Sequence, residues 1–258
     1  MTLTRTIENN RLELIWKLAR ADFRKRYYHD RLGLLWALIK PLFEVGIYYI
    51  IFKMGFRIEQ ENFVLFLFGG LIVWMVFAEG TKRGMGLLVD KLYLIENVQF
   101  KWVDLYISFT LSIFLAFAFN FSVLIAASLL AGFVPGPEMV YFPVILFSLF
   151  LMTMGTTIIL SCVQPFLTDL NHLWDMLLML GLWVSGIFYP RTVLTDVLPW
   201  MNVANPFLGI IHNTRAIWIA GLEVDTEVMI WNLVVSAAVF FVGLLILKPV
   251  GSLAVEKL

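Results

Sequence analysis

Three stretches of this chain run for twenty residues or more without a charged side chain: Leu105–Ala131, Val140–Thr168 and Val228–Leu247. A helix needs about 20 residues to cross a hydrocarbon layer roughly 30 Å thick, so each stretch is long enough to span one. Composition points the same way. The chain is 60% hydrophobic and 15% charged, where a soluble domain carries about a quarter charged residues. A soluble fold of this size could not keep its surface wet without large exposed apolar patches. A water-soluble enzyme is excluded, and an all-α integral membrane protein is expected.

Three weaker runs complete a set of six. Leu32–Phe56 is interrupted by Lys40, Glu44 and Lys53. Phe63–Ala78 is clean but short, and Gly80–Leu88 extends it. Leu173–Tyr189 carries one charge, Asp175. The second and fifth segments need extension or a thinned bilayer to span. With the N-terminus inside, the inner segments hold fourteen Lys and Arg, and the outer ones hold Arg57, Arg191 and Arg215. That bias places both termini in the cytoplasm. The first thirty-one residues contain no apolar core of a leader, so no cleaved signal peptide is expected. The single Cys162 excludes an internal disulfide and a cysteine zinc site. Nineteen basic and nineteen acidic residues balance, so net charge says nothing about an anionic partner; membrane lipids, and no nucleic acid, are expected as partners. The chain reads as one transmembrane domain: an interface helix in 1–31, helices one to five in 32–189, an external element in 190–227, helix six in 228–247 and a tail in 248–258.

The pieces outside the spans have character of their own. Residues 7–31 read as an amphipathic helix on the inner leaflet. Leu12, Ile15, Trp16, Ala19 and Phe23 form one stripe, with Glu13, Lys17, Arg20 and Arg24 beside it, as in interfacial helices. A plain positive-inside flank also accounts for the charges. In 89–103, Asp90, Lys91, Glu96, Asn97 and Lys101 punctuate Leu92, Leu94, Ile95, Val98 and Phe100, a mixture suited to a short helix that docks a soluble partner. The external 190–227 is too long for a turn and too apolar for a solvated loop. Pro190 closes the fifth segment, and Asn205-Pro206 reads as an N-cap with proline at the first helical position. Phe207–Ala220 then has the length of a re-entrant element. Two short helices dipping into the outer leaflet would cover a pathway, with Arg191 and Arg215 pairing to Asp196, Glu223 or lipid phosphates; a lid that only packs the bundle is the alternative.

The chain has no G-x-x-x-x-G-K-[ST] loop with which to cradle a nucleotide. His29, His172 and His212 lie apart, and Asp169, His172 and Asp175 read as a polar helix end, so no metal site is expected. Lys40 and Glu44 stand i,i+4 inside the first segment, where charges pair or face a wet pathway. Trp36, Tyr48, Tyr49, Trp74, Trp183, Phe188 and Tyr189 concentrate on segments one, two and five. Sugar rings stack on aromatic planes, although interfacial belts also use aromatics.

Specific strings resemble a known family. Arg26-Tyr27-x-x-x-x-Leu32-Gly33-x-Leu35-Trp36-x-x-x-x-Pro41 resembles the start of the polysaccharide-export branch of type-2 ABC permeases. Gly69-Gly70-Leu71-x-x-Trp74 looks like that family's second helix, and Leu94-Ile95-Glu96-Asn97-Val98-Gln99-Phe100 its cytoplasmic connection. Ser185-Gly186-Ile187-Phe188-Tyr189-Pro190, Asn205-Pro206-Phe207 and Arg215 are similar to its fifth helix and external element. Lys101 and Thr168-Asp169 depart from the family pattern. The resemblance implies a homodimer working with two cytoplasmic ATPase subunits that bind ATP and magnesium, this chain holding no cofactor. The cargo implied is a lipid-linked polysaccharide: O-antigen first, then capsule, then teichoic acid. The resemblance implies a conduit on segments one and five, with Trp36, Lys40, Glu44, Tyr48, Tyr49, Trp74, Trp183, Phe188 and Tyr189 as candidate lining. The candidate ATPase-coupling residues are Asp90, Lys91, Leu94, Ile95, Glu96 and Asn97, beside interface residues Leu12, Trp16, Lys17, Arg20, Phe23 and Arg24. Pro190, Arg191, Asn205, Pro206 and Arg215 are the candidate external gate. A drug exporter of the same superfamily and a membrane-embedded transferase are the competing readings; the latter lacks a polar catalytic constellation.

Overall fold

The computed structural model describes residues 11–27, 32–57, 62–97, 101–134, 136–219 and 222–256, the side chains of Glu96 and Glu256 excepted. Among the described residues the chain is all-helical. The helices are α1 (Arg11–Tyr27), α2 (Leu35–Tyr49), α3 (Phe63–Gly84), α4 (Leu87–Asp90), α5 (Leu92–Asn97), α6 (Trp102–Leu130) and α7 (Phe142–Val163). They are followed by α8 (Leu170–Val184), α9 (Thr192–Thr195), α10 (Met201–Ala204), α11 (Pro206–Trp218) and α12 (Thr226–Glu256). Five stretches are long and apolar enough to cross a membrane: Leu35–Gly55, Phe63–Gly84, Trp102–Leu130, Pro137–Val163 and Thr226–Val255. In the first, α2 widens into a π-helix over Ile50–Gly55.

The centre of the bundle is α3. It is apolar all round, the pattern of a helix enclosed on every side, and Phe66, Leu67, Leu71, Ile72 and Val73 are buried. Helices α2, α6, α7 and α11 surround it. Helices α7 and α12 form the most extensive pair. A Cβ on Gly155 would come within 2.6 Å of the Phe240 backbone, and one on Gly243 within 2.9 Å of the Gly155 carbonyl oxygen. Small residues let these two backbones approach where lipid provides no hydrophobic drive between helices. The bundle gathers the ends of α3, α6, α7 and α12 with α1, α4 and α5 at one pole; a Cβ on Gly251 of α12 would meet Trp102 of α6 there.

The fifth expected segment is shorter than the sequence indicates. Leu173–Tyr189 was expected as one helix, but α8 stops at Val184 and Gly186 takes a left-handed φ of +70°. Its 15 residues reach only about 22 Å at 1.5 Å per residue. By contrast, the 29 residues of α6 reach about 43 Å, so one end extends beyond a 30 Å layer. Along that helix packs α1, whose apolar stripe is divided: Ile15 and Ala19 are buried, Phe23 is half-buried beside Tyr27, and Leu12 and Trp16 are exposed. Lys17, Arg20 and Arg24 are exposed as well. The remaining parts of the expected 7–31 helix lie outside the described residues.

Candidate translocation site

At the pole that holds α1, charge joins the short elements to the spans. Arg11 Nε donates to both carboxylate oxygens of the buried Asp104 at 2.9 Å. Lys91, just after α4, pairs with Asp22 of α1. Lys82 at the end of α3 pairs with Asp175 of α8 at 2.7 Å, and Trp174 Nε1 donates to Thr81 Oγ1 at 3.0 Å. Asp175 is therefore tied to Lys82, while Asp169 and His172 stand exposed. Leu94 and Ile95 are half-buried against the core, whereas Tyr93 is 79% exposed beside the exposed Asp90 and Asn97. The outward face of α5 thus belongs to Tyr93, a residue the sequence reading of this connection did not single out. The Glu96 side chain lies outside the described residues.

At the opposite pole the segment after α8 folds back. Asn205 Oδ1 accepts from Phe207 N at 3.1 Å and Pro206 begins α11, so the N-cap forms. The Asn205 amide also donates to the Val184 carbonyl at 2.9 Å, and the Tyr189 hydroxyl donates to the Trp183 carbonyl. The first contact staples the start of α11 to the end of α8, and the second folds the segment after α8 back onto it. Helices α9 and α10 are single turns; Val193 and Val203 on them, Val197 and Trp200 between them, and Pro190 before them are all exposed. Helix α11 is buried almost throughout, packing on α3, α7 and α12.

The expected pairings of the two arginines are corrected by the structure. Arg191 pairs with Asp225, not with Asp196 or Glu223. Arg215 is 3% exposed and meets no carboxylate among the described residues. Its Nε donates to the Phe66 carbonyl at 2.9 Å, Nη1 to Gly186 at 2.7 Å and Nη2 to Ile187 at 2.7 Å. The guanidinium carbon also lies 3.5 Å from the centroid of the Phe66 ring. A buried cation is costly unless its donors are satisfied; here main-chain carbonyls accept where a carboxylate was expected. The carbonyls of 186 and 187 are available because Gly186 has already broken the helix. The bend after α8 and the buried arginine are two halves of one arrangement.

Beside this lock, His212 Nε2 donates to the Glu223 carbonyl at 3.0 Å. Burial, and then the charge of Arg191, hold its imidazole below the ordinary value. Burial alone would raise Asp225, but hydrogen bonds from Arg191 and the Val228 N–H outweigh it and hold the carboxyl below its ordinary value. Asn213 closes the turn, donating to the Asp225 carbonyl at 3.1 Å and accepting its N–H at 2.8 Å.

The aromatic residues divide into two groups. Trp74 is buried against Phe77 and Phe207, and Phe188 stacks on Phe52 at 5.0 Å with Tyr48 edge-on at 4.7 Å. Both are core residues of this chain rather than open surface. Trp36 and Trp183 are exposed, and Tyr49 and Tyr189 are half-buried. Lys40 is exposed and Glu44 half-buried on α2; no ion pair joins them among the described residues. Two long faces stand bare in the single chain: Leu35, Ile39 and Phe43 of α2, and Met176, Met179 and Leu180 of α8.

Comparison with known proteins accords with this architecture. The profile of the "ABC-2 type transporter" family matches residues 13–219. Two O-antigen export system permease proteins RfbA of Klebsiella pneumoniae are each 26% identical, over 81% of this chain and 81% and 82% of their own. The O-antigen export system permease protein RfbA of Myxococcus xanthus is 25% identical over 83% of each chain. With that match running from α1 to the end of α11, the chain belongs to the ABC-2 type transporter family.

Proposed function

We propose that this protein is the membrane subunit of an ATP-driven exporter of a lipid-linked polysaccharide, with O-antigen the first candidate cargo. The observation that carries this reading is the likeness to O-antigen export permeases over about four-fifths of both chains. In this reading α8 completes six spans, both termini face the cytoplasm of a bacterial inner membrane, and two copies meet through the bare faces of α2 and α8. Trp36, Tyr49, Trp183 and Tyr189 border the resulting conduit, where aromatic planes let sugar rings slide past. Trp74 and Phe188 shape it from behind. Two partner ATPases, carrying ATP and magnesium, dock on α1, α4 and α5, and α9 to α11 close the outer mouth.

The test is genetic. Supplying this chain and its ATPase to a bacterium lacking its own O-antigen exporter should restore polysaccharide to the cell surface. Polysaccharide that accumulates inside despite a correctly inserted permease would overturn the reading.

A further inference from the structure

At the pole opposite α1, where the turn after α8 meets α3 and α11, lies a cavity of about 160 Å³, and the proposed function leaves it unused. Its cationic wall comes from two elements: Arg191 stands just before α9, and Arg215 projects from α11. Phe66, Leu208 and Leu222 make much of the remaining wall apolar, and the exposed Thr192 adds a hydroxyl. His212 lines it too, its Nε2 proton already given to the Glu223 carbonyl. No carboxylate is among the described residues that line it.

The two arginines are incompletely answered. Arg191 spends Nη2 on Asp225, while its Nη1 is buried and has no hydrogen-bond partner. Arg215 places one bond from each of its nitrogens on a main-chain carbonyl. Those carbonyls supply acceptors but no negative charge, and Nη1 and Nη2 each keep a second proton. Asp225 balances one guanidinium of the two, so one positive charge beside the cavity is uncompensated among the described residues. A buried charge is costly unless it is paired, and a buried donor without an acceptor calls for one. Ala220 and Gly221, just before Leu222, carry no charge. Glu59 and Glu61, which precede Phe66 in the sequence, lie outside the described residues, and both enter the test below.

One monovalent anion meets both demands, accepting from Arg191 Nη1 and cancelling the charge of Arg215. We infer that this cavity is a binding site for a small monovalent anion, with chloride as the ligand. Its volume equals about five waters at ~30 Å³ each, room for one chloride and part of its water shell. A phosphate dianion would turn one excess positive charge into one excess negative charge, against apolar walls that offer it no donors. The bound anion ties Arg191, at the start of the external element, to Arg215 on α11. It thereby fastens that element from a side that neither the Asn205 cap nor the Asp225 pair reaches. The site is independent of what the protein carries.

Chloride binding by the full chain in detergent decides it, at about pH 8, above the ordinary range of histidine. Wild type should broaden the chloride NMR line. Saturating sodium chloride should raise its melting temperature by several degrees over sodium gluconate at the same ionic strength. Arg191→Gln should lose more than half of the excess broadening. Thr192→Asp, which tethers a carboxylate next to Arg191, should melt above Thr192→Asn in gluconate and no longer respond to chloride. Misfolding cannot mimic that gain. Wild type without broadening, equal broadening in Arg191→Gln, or a chloride response kept in Thr192→Asp would overturn the site. Broadening seen only after Glu59→Gln with Glu61→Gln would also overturn it, since a carboxylate of this chain would then hold the cavity. Inorganic phosphate that displaces chloride at a lower concentration than bromide does would overturn the choice of a monovalent anion.

Discussion

Arg215 lies against Gly70 so closely that the glycine has no room for a side chain. A Cβ on Gly70 would overlap Arg215 Nη2, stand 3.1 Å from Cζ and come 3.4 Å from the Ile187 backbone. Its neighbour Gly69 would place a Cβ at an ordinary 3.6 Å from Arg215 Cγ. Gly70→Ala should therefore destabilise the protein by about 1–3 kcal/mol through overpacking, and Gly69→Ala should be close to neutral. Thermal unfolding in detergent separates the two; equal melting temperatures would show that the lock tolerates displacement.

Removing the cation tests the same lock from its other side. Arg215→Met leaves the carbonyls of Phe66, Gly186 and Ile187 without their donor, at about 1–3 kcal/mol for each buried group that finds no other. The variant should melt well below wild type, and protease should cut 190–205 sooner. Unchanged proteolysis would mean that α11 holds its place without the arginine.

Acid should loosen the external element in two stages. For His212 the folded-state value is depressed, so its contribution is complete above about pH 6.5 and is lost as pH falls through the lowered value. Asp225 is also depressed; its contribution is present above about pH 4 and lost as pH falls through its own lowered value. The accessibility of a cysteine introduced at Val203 should rise below pH 6.5, and His212→Gln should abolish that first rise. A first stage that survives in His212→Gln assigns it to another group.

The aromatic residues predict a division of phenotypes. Trp74→Ala and Phe188→Ala remove buried side chains and should cost about 3–5 kcal/mol. Trp36→Ala and Trp183→Ala alter exposed rings and should leave the melting temperature within a few degrees. Export per folded complex should nonetheless fall in the second pair. Full export there would reduce these tryptophans to anchors at the membrane interface.

For coupling, Tyr93→Asp is a cleaner probe than any change at Leu94 or Ile95, which support the bundle. The variant should fold normally and lose ATPase co-purification. Retention of the ATPase at wild-type level would move the docking surface off α5.

How much of this was legible follows from what a single sequence encodes. The uncharged runs gave α6, α7 and α12 directly, and Asn205-Pro206 marked the start of α11 because an N-cap and an N1 proline are local signals. The end of α8 was local only in part. Gly186 inside Leu173–Tyr189 is a helix-stop signal, but the apolar run continues past it, and the carbonyl freed there is held by an arginine twenty-nine positions later. Arg215 was read as a partner for carboxylates because carbonyl acceptors leave no trace in a sequence. Trp74 and Trp36 were alike in composition, and only packing distinguished the buried ring from the exposed one.

The central claim, ATP-driven movement of a lipid-linked polysaccharide, is tested most directly by reconstitution. Proteoliposomes carrying the permease with its ATPase outward are loaded with lipid-linked polysaccharide in the outer leaflet. Adding ATP and magnesium should make the sugar progressively resistant to an external glycosidase, while a hydrolysis-deficient ATPase should leave it fully digestible. Polysaccharide that stays digestible at the same rate with and without ATP, in vesicles whose complex hydrolyses ATP, would contradict the account.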